Sequence, residues 1–304
     1  MRRLLLISNA NAHTVTPYRL EVIAAALSAQ FSLELVETKS RGHATEMARQ
    51  AVEDGMDLVV ALGGDGTVNE VANGLVGSDV PLAVLPGGMA NVFARSLGMP
   101  SDAIEATGLL LERMDSLPRR IPLGRIQDRY FVANCGVGLD AAIVREVERR
   151  HRAKKRMGDM LFVWTGLRVY LFGYGRRKPH LELAWGAELE ERRDHLFLAI
   201  FQNVDPFTYL GERAMRICPD ADLEGGLDGF AVSTMRIRTI LPTALKAFRA
   251  EPKIRGKRLL YLRDQPRFLV TCDRPMPLQM DGEYIGEREE VLIESVPGAL
   301  SILI

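Results

Sequence analysis

A glycine-rich segment in the first quarter of the chain directly follows an apolar run, and it reads Gly63, Gly64, Asp65, Gly66 and Thr67. Glycines let the backbone turn tightly and approach a phosphate closely, and a helix that begins directly afterwards presents free N–H groups and a positive dipole. A carboxylate repels phosphate unless Mg²⁺ lies between them, so Asp65 is a candidate magnesium ligand. The segment predicts Mg-nucleotide binding; the simpler alternative is a strand-to-helix turn capped by Asp65.

A second glycine-rich segment has the same setting. It follows the apolar run Leu82–Leu85, opens a predicted helix, and reads Pro-Gly-Gly-Met-Ala-Asn-Val-Phe-Ala-Arg over residues 86–95. Gly87, Gly88 and Asn91 are its candidate phosphate contacts, because the backbone of such a loop is open to an anion. A glycine-rich loop used only for packing is the alternative.

Near the end of the chain, Asp281 and Glu283 flank Gly282. A hydroxyl group is a weak nucleophile, and a positioned carboxylate can accept its proton while a phosphoryl group is transferred. Either acid is therefore a candidate general base. Asp-Gly is also a common hairpin dipeptide, so a plain β-turn is the alternative.

The elements that must position these residues differ between the two parts of the chain. The first 125 residues alternate short apolar runs with amphipathic stretches, which predicts a parallel sheet covered by helices. Ligand sites of such sheets lie beyond the carboxyl ends of the strands, where both glycine-rich segments fall. The predicted strands are 4–8, 33–36, 58–62 and 82–85, and the predicted helices are 19–29, 44–53 and 68–76.

From about Tyr130 the chain reads as short strands separated by turn residues, which predicts a second, mostly antiparallel β domain. The predicted domains are 1–124 and 125–294, with 295–304 as a candidate returning strand of the first domain. The predicted strands are 130–134, 181–184, 196–204, 230–234, 259–262, 268–272 and 291–294, and the predicted helices are 141–156 and 239–249.

Composition limits the class of protein. The 304 residues carry 39 Lys+Arg and 39 Asp+Glu, and this neutral balance argues against nucleic acid as the main partner. Cys135, Cys218 and Cys272 lie far apart without a CxxC pair, as expected of buried thiols in a reducing compartment. No apolar run approaches the roughly 18 residues of a membrane span. We therefore expect a cytoplasmic protein, at most peripheral at the inner face of the membrane.

The order of the motifs resembles that of diacylglycerol kinases and bacterial lipid kinases. The segment 63–67 followed by Val68–Leu75 is similar to their nucleotide signature, residues 86–95 are similar to actinobacterial members, and 281–283 matches their Asp-Gly-Glu element. The resemblance covers essentially the whole chain. It implies an α/β fold: a Rossmann-like, three-layer nucleotide domain of the NAD kinase-like type, followed by a mostly antiparallel β-sandwich, with the active site between the two domains.

The resemblance also implies roles for single residues. Catalysis would use Asp65 with Glu283 or Asp281, and Mg²⁺ would be held by Asp65. The family's threonine that contacts nucleotide is Met89 here, and the carboxylate of its structural magnesium loop is Gly225 here. For that second ion only the backbone carbonyls of Asp222 and Leu227 remain as candidate ligands, with Asp228 or Glu224 as candidate substitutes for the missing carboxylate. The nucleotide contacts would be Asn9, Thr38, Gly63, Gly64, Asp65, Gly66, Thr67, Asn69, Glu70, Gly87, Gly88 and Asn91.

The function that follows from the resemblance is an ATP- and Mg²⁺-dependent lipid kinase. It would transfer the γ-phosphate to a hydroxyl of diacylglycerol or a related lipid, giving phosphatidic acid or an equivalent phospholipid. One alternative is a kinase of a soluble acceptor, resembling NAD kinase; another is a lipid or nucleotide sensor without catalysis. The segment at Gly136–Ala141 imitates a dinucleotide fingerprint, but basic residues stand where that fingerprint needs an acid.

A basic and aromatic segment, residues 145–178, is the predicted membrane contact. It carries eleven Lys or Arg against three acids, with aromatic residues such as Trp164 and Phe172 between them. Basic residues beside aromatics suit the anionic headgroup region of a bilayer. A solvated basic helix followed by a core helix is the alternative. The expected partners are thus a membrane lipid and an anionic membrane surface, together with a second copy of the chain through exposed strand edges.

Overall fold

The computed structural model describes residues 1–10, 12, 14–149, 159–170 and 178–304. Their contacts divide the chain into two compact units: residues 1–123 with 297–304, and residues 124–296. The division expected from the sequence was 1–124 and 125–294, with 295–304 returning. No helix in the described ranges is both long enough and apolar enough to cross a bilayer.

The first unit is a parallel sheet whose strands are connected by helices. Its elements are β1 (Arg3–Ser8), α1 (Pro17–Ser28), β2 (Ser32–Glu37), α2 (His43–Glu53), β3 (Leu58–Gly63), α3 (Asp65–Leu75), β4 (Leu82–Pro86), α4 (Val92–Ser96) and α5 (Ala103–Glu112). The spatial order is β2-β1-β3-β4, with all neighbours parallel. Every residue of β3 and β4 is buried, as expected of parallel strands covered on both faces.

The strands of the first unit end together. Ser8 at the end of β1 pairs with Glu37 of β2 and with Leu62 of β3, and Gly63 pairs with Pro86 at the end of β4. The loops that follow these strands therefore share one edge of the sheet, which is where open α/β sheets bind their ligands. Both glycine-rich segments leave from this edge.

Helices α2 and α3 pack closely at Gly74. A Cβ atom at this position would lie 2.5 Å from the Cβ of Ala48 and 2.6 Å from the carbonyl oxygen of Thr45. The Thr45 hydroxyl donates a 2.8 Å hydrogen bond to the carbonyl of Glu70 on the facing helix. The glycine in the continuation of the first motif therefore serves helix packing.

The second unit consists mainly of antiparallel strands. Chain segments β5 (Arg119–Ile126) and β16 (Glu283–Ile302) connect it to the first unit. Between them lie β6 (Arg129–Phe131), β7 (Asn134–Gly138), α6 (Leu139–Arg149), α7 (Asp159–Val169), β8 (Leu181–Trp185), β9 (Glu191–Leu196), β10 (Leu198–Gln202), β11 (Thr208–Leu210), β12 (Arg213–Met215), β13 (Leu227–Val232), α8 (Ile237–Lys246), β14 (Leu259–Gln265) and β15 (Arg267–Met280).

Strand β15 belongs to two layers of the second unit. Its first half, Phe268–Cys272, pairs with β8, and its second half, Leu278–Met280, pairs with β7 in the order β14-β13-β10-β7-β15. The rings of Phe201 on β10 and Phe268 on β15 touch, with their centroids 4.6 Å apart. Both rings lie in one hydrophobic core, so the strands enclose a sandwich-like interior.

The α/β fold class is confirmed, but two predicted strands differ from the observed ones. The strand predicted over 130–134 is interrupted after Phe131, because the amides of Val132 and Ala133 donate to the carboxylate of Asp281 in the turn between β15 and β16. The strand predicted over 196–204 corresponds mainly to β10; Leu196 is the last residue of β9, and Phe197 separates the two strands. The helix predicted over 141–156 begins at Leu139; residues 150–156 lie outside the described residues.

Candidate active site

The two glycine-rich loops pack backbone against backbone. The amide of Gly87 donates a 2.8 Å hydrogen bond to the carbonyl of Gly63. A Cβ atom on Gly87 would lie 2.8 Å from the Cα of Gly63, and one on Gly88 would lie 2.6 Å from the Cα of Gly64. Because real Cβ atoms do not tolerate such distances, Gly87 and Gly88 are required for the contact between the loops.

Gly66 is different from its neighbours. A Cβ atom there would meet no atom within 4 Å, so packing does not explain the glycine. Gly66 lies in the first turn of α3, where backbone N–H groups have no partner within the helix and the helix dipole is positive. The open space above this turn can admit a phosphate.

Asp65 is the first residue of α3, and it connects the beginnings of two helices. One of its carboxylate oxygens accepts a 3.2 Å hydrogen bond from the amide of Phe93 in α4. This bond was not predicted from the sequence. It fixes the direction of the side chain at the edge where the two glycine-rich loops meet.

Asn91 closes the second glycine-rich loop. Its Oδ1 accepts a 2.8 Å hydrogen bond from the amide of Gly88, and its Nδ2 donates a 3.0 Å bond to the Gly88 carbonyl. The backbone of Asn91 is left-handed, with φ 46°, a conformation that asparagine tolerates better than most residues. Met89 lies at the tip of this loop with 40% of its surface exposed, so a longer side chain fits where the family has threonine.

The loops after β1 and β2 adjoin the same edge. The side-chain amide of Asn9 donates a 3.0 Å hydrogen bond to Oγ1 of Thr67, and the backbone amide of Asn9 donates to the carbonyl of Leu62. The amide of Thr38 donates to the carbonyl of Ser8 at 2.8 Å. The structure therefore places Asn9 beside the first glycine-rich loop and Thr38 beside the end of β1; whether they contact a nucleotide stays a prediction.

Glu70 supports α2 from the neighbouring helix. Its two carboxylate oxygens accept hydrogen bonds from the amide of Gly42 at 3.0 Å and from the amide of Ala44 at 3.2 Å. These amides lie at the beginning of α2, whose N-cap, Gly42, has no side chain of its own to accept them. Asn69 is buried on α3, where its carbonyl accepts from the amide of Asn73. Both predicted contact residues have structural partners, and their role towards nucleotide stays a prediction.

In the second unit, Asp281 holds the turn between β6 and β7. Its carboxylate accepts three backbone hydrogen bonds, from Val132 at 2.8 Å and from Ala133 and Asn134 at 2.9 Å. Its own amide donates to the carbonyl of Asn134, and its φ is 46°. Asp281 therefore closes a gap in the sheet, where it satisfies amides that the interrupted strand leaves without partners.

Glu283 lies two residues further along the same hairpin. Its Oε2 accepts a 2.7 Å hydrogen bond from the guanidinium of Arg129, and the side chain keeps 26% of its surface exposed. Arg129 belongs to β6, so the ion pair holds the carboxylate to the strand beside the Asp281 turn. The two acids thus differ in their hydrogen bonds: Asp281 accepts from three backbone amides, and Glu283 accepts from the guanidinium of Arg129.

A polar network involving Gln279 lies beneath the hairpin. Its Nε2 donates to Asp140 at 2.8 Å and to Asn134 at 3.0 Å, and its Oε1 accepts from the amide of Gly282 at 2.9 Å. Loss of water around the carboxyl raises the pKa of Asp140 to about 6, against the opposing effect of the Gln279 hydrogen bond. No role for Gln279 was predicted from the sequence, because its partners are distant in sequence.

Side-chain carboxylates close the loop at 219–228, where the resemblance implies a structural magnesium ion. A Cβ atom on Gly225 would lie 2.7 Å from Oδ1 of Asp264, so this carboxylate fills the space of the missing side chain. The same oxygen accepts from the amide of Gly226 at 2.5 Å, and Oδ1 of Asp222 accepts from the amide of Glu224 at 2.8 Å. One carboxylate oxygen each of Asp222 and Asp264 is thus bonded to a backbone amide.

Other groups complete the closure of this loop. Asp228 is buried, and its oxygens accept from the Tyr261 hydroxyl at 2.7 Å and from the amide of Asp264 at 2.9 Å. Leu227 begins β13 opposite Gln265. Across the described parts of the chain, no three acidic, histidine or cysteine side chains converge as metal ligands. A structural magnesium ion at the carbonyls of Asp222 and Leu227 stays a prediction.

A nucleotide-bound magnesium ion needs fewer protein donors. Mg²⁺ ordinarily takes one or two carboxylates and completes its shell with phosphate oxygens and water. Asp65, beside the open helix turn at Gly66, fits that description. The structure thus brings the predicted nucleotide residues to one edge of the first unit and the predicted base candidates to one hairpin of the second.

Comparison with known proteins gives the family. A family model described as the diacylglycerol kinase catalytic domain matches residues 3–126. A diacylglycerol kinase of Staphylococcus haemolyticus is 32% identical over 255 residues, which cover 82% of this chain and 72% of that protein. The match extends well beyond the first unit.

Solved structures give the fold. A diacylglycerol kinase structure from Bacillus anthracis aligns with a TM-score of 0.73 at 20% identity and covers 99% of this chain and 96% of that one. An NAD kinase of Archaeoglobus fulgidus in complex with ATP aligns with a TM-score of 0.53 at 11% identity, covering 100% of this chain and 94% of that one. The NAD kinase-like fold expected from the motifs is therefore confirmed, and the chain belongs to the diacylglycerol kinase family of lipid kinases.

Proposed function

We propose that this protein uses ATP and Mg²⁺ to phosphorylate a hydroxyl of diacylglycerol or a related membrane lipid, giving phosphatidic acid or the corresponding phospholipid. The observation that carries the proposal is the open first turn of α3 at Gly66, beside Asp65. All the neighbouring glycines are used for packing, so this position is the part of the motif left for a phosphate.

The first unit would bind the nucleotide. Free N–H groups at the beginning of α3 would bind phosphate oxygens, and the closed loop at Gly88–Asn91 would keep its backbone close to them. Asp65 would hold Mg²⁺, which neutralises charge on the phosphates when it is bound. Transfer of a phosphoryl group needs little covalent help from a protein, so positioning of this kind supplies most of the rate.

In the second unit, Glu283 is the better candidate for the general base. Asp281 is engaged by three backbone amides, whereas the described contact of Glu283 is an ion pair with Arg129 that leaves the side chain partly exposed. In the reaction, the acceptor oxygen forms a bond to the γ-phosphorus while the bond to ADP breaks. The hydroxyl proton passes to the Glu283 carboxylate.

The test is transfer of labelled γ-phosphate from ATP to a panel of lipids in mixed micelles, with NAD as the soluble acceptor. Asp65→Asn keeps an oxygen for the Phe93 amide but removes the charge, so it should fold and lose turnover. Asp115→Asn is the matched control, because Asp115 is 94% exposed and its surface ion pair with Arg2 contributes little. Labelled lipid with wild type and Asp115→Asn, but not with Asp65→Asn, is the expected result.

Other outcomes would replace the proposal. Label on NAD alone would identify a kinase of a soluble acceptor, and ATP binding without label on any acceptor would identify a sensor. For the choice of base, Glu283→Gln should retain ATP binding and lose at least about a hundredfold in turnover, in the range of general-base catalysis. Full turnover by Glu283→Gln would remove this residue from the mechanism.

A further inference from the structure

Helix α8 of the second unit directs an apolar stripe towards solvent. Ile237, Leu241 and Leu245 are 52%, 51% and 63% exposed, and no residue of this helix is buried. Residues four apart lie on one face of a helix, so the three side chains form a continuous row, which we call the α8 stripe. Single exposed leucines are common on protein surfaces, but a helical row of them indicates a binding surface.

The helix is held in place from one side and at both ends. Ile240, which flanks the stripe, packs against the core of the unit. The hydroxyl of Tyr170 donates to the carbonyl of Met235 just before α8, and the amide of Arg216 donates to the carbonyl of Ala247 just after it. The stripe is therefore presented by a fixed helix whose apolar face lacks a covering element among the described residues.

The charges around the stripe have one sign. Residues 236–249 contain four basic residues, Arg236, Arg238, Lys246 and Arg249, and no acid. Arg236 and Arg238 are exposed and flank Ile237, so they lie on either side of the beginning of the stripe. An apolar row with a basic border is the composition of helices that lie in the headgroup region of anionic membranes.

A second helix adds apolar surface of the same kind. On α7, Trp164 is 63% exposed and Leu167 is 53% exposed, and Arg168 beside them is exposed as well. The Tyr170 hydrogen bond joins the end of α7 to the residue before α8. Tryptophan favours the boundary between apolar chains and water. Part of the basic segment predicted as a membrane contact lies here; residues 150–158 and 171–177 lie outside the described residues.

We propose that the α8 stripe docks on a bilayer containing anionic phospholipid, with α8 lying in the headgroup region. The inference deepens the proposed function, because it gives the kinase a surface for reaching a membrane lipid. A second copy of the chain fits the stripe less well. Two α8 helices related by a two-fold axis would bring basic borders together without an acid in either helix segment.

The test is flotation with vesicles of phosphatidylcholine alone and of phosphatidylcholine mixed with phosphatidylglycerol, without ATP. The variant Ile237→Ser/Leu241→Ser/Leu245→Ser removes the stripe. Its unfolding temperature should equal that of wild type, because these side chains are exposed. The matched control is Leu35→Ser/Leu117→Ser/Leu292→Ser, which changes three exposed leucines elsewhere. We expect the stripe variant to bind mixed vesicles about tenfold more weakly or worse, and the control to bind like wild type.

The basic border is tested by a separate variant. Arg236→Gln/Arg238→Gln should weaken binding to mixed vesicles at low salt and should not affect binding to phosphatidylcholine alone. Wild-type binding by the stripe variant would overturn the proposal. So would a wild-type dimer in sedimentation that the stripe variant converts to a monomer while vesicle binding is unchanged.

Failure of the proposed function can be distinguished from failure of docking. A short-chain, water-soluble diacylglycerol should be phosphorylated equally by wild type and by the stripe variant, because this acceptor needs no membrane. Stripe-dependent vesicle binding without phosphorylation of any lipid would leave docking intact and refute the kinase activity. Phosphorylation of the soluble lipid without stripe-dependent binding would support the kinase activity and refute docking by the stripe.

Discussion

The glycine-rich loops of the first unit and the acidic hairpin of the second unit keep their shapes by different means. In the first unit, backbone lies against backbone, and Gly87 and Gly88 are placed so close to Gly63 and Gly64 that no side chain fits. In the second unit, the carboxylate of Asp281 and the amide of Gln279 hold the chain through hydrogen bonds to several strands.

The two designs have different sensitivities. A packed glycine loop fails when volume is added, since close-packed backbone has no room to yield. A turn closed by hydrogen bonds fails when a polar partner is removed, because the remaining groups lose their bonds without regaining water. One residue in each motif differs from its neighbours: a Cβ atom at Gly66 would meet no atom within 4 Å, and Glu283 forms an ion pair with Arg129 while 26% of its side chain stays exposed.

The largest expected effect tests the hydrogen-bonded hairpin of the second unit. Asp281→Ala leaves the amides of Val132, Ala133 and Asn134 without their acceptor, and it places alanine at a positive φ. We expect the free energy of unfolding to fall by about 3–5 kcal/mol, as for loss of a partner of several buried groups. Urea unfolding measures it. Glu283→Gln is the control and should change stability by less than about 1 kcal/mol; equal losses would contradict the division of roles.

The next effect tests the packing of the two glycine-rich loops in the first unit. Gly88→Ala places a Cβ atom 2.6 Å from the Cα of Gly64, so one loop must move. We expect a loss of about 2–3 kcal/mol in the free energy of unfolding, as for overpacked sites. Thermal and urea unfolding check this value. A fully stable Gly88→Ala would show that the loops can separate without cost.

Gly66→Ala is the matched comparison inside the same motif. It adds the same methyl group where no atom lies within 4 Å, in the first turn of α3. Stability should be unchanged or rise by roughly 0.5–1 kcal/mol, because alanine loses less backbone entropy in a helix. Nucleotide affinity, measured by calorimetry, should fall about tenfold, since the methyl group occupies the space proposed for phosphate. Unaltered affinity would contradict the phosphate site at Gly66.

A smaller effect is the dependence of stability on pH in the polar network of the second unit. The pKa of Asp140 is raised from 3.8 to about 6, so the folded protein binds its proton more tightly than the unfolded chain does. Stability therefore falls as pH rises from about 4 to 6, and the full cost is present above pH 6. Asp140→Asn should raise stability at pH 8 by about 1–2 kcal/mol and by much less at pH 4. A gain that is equal at both pH values would contradict an ionised Asp140 as its cause.

The smallest effect concerns the loop at 219–228, which is also closed by carboxylates. Without nucleotide, EDTA or added Mg²⁺ should leave the unfolding temperature unchanged. Asp264→Asn keeps an oxygen for the amide of Gly226 and should match wild type, whereas Asp264→Ala should lose about 1–2 kcal/mol. A rise in unfolding temperature with Mg²⁺ that Asp264→Asn abolishes would support the magnesium site implied by the resemblance.

Sequence reasoning was most accurate where the determinants are local. The strands predicted over 58–62 and 82–85 correspond to β3 and β4 because buried parallel strands are short, uniformly apolar runs. Strand β16 spans Glu283–Ile302, whereas the prediction gave a strand over 291–294 and a returning strand over 295–304, and missed residues 283–290. Gly286 and Pro297 interrupt its pattern, and the pairing with β15 that maintains the strand is non-local.

The same limit applies to the candidate site. Glycine-rich composition was enough to find both loops, but it could not separate packing glycines from Gly66, since that depends on which backbone lies opposite. Asp281 and Glu283 looked equivalent in sequence. Their difference comes from the amides of 132–134 and from Arg129, which lie about half the chain away and are brought near only by the fold.

The parallel sheet of the first unit is completed by residues from the other end of the chain, because Ile302 pairs with Leu82 on β4. On a ribosome, residues 1–123 emerge long before 297–304 are made. The edge of β4 that pairs with Ile302 therefore lacks this partner while the second unit is synthesised. Closure of that edge adds contacts of very large sequence separation, which are slow to form. The nascent chain should therefore depend on chaperones during this interval, and nucleotide-binding competence should arise late in synthesis.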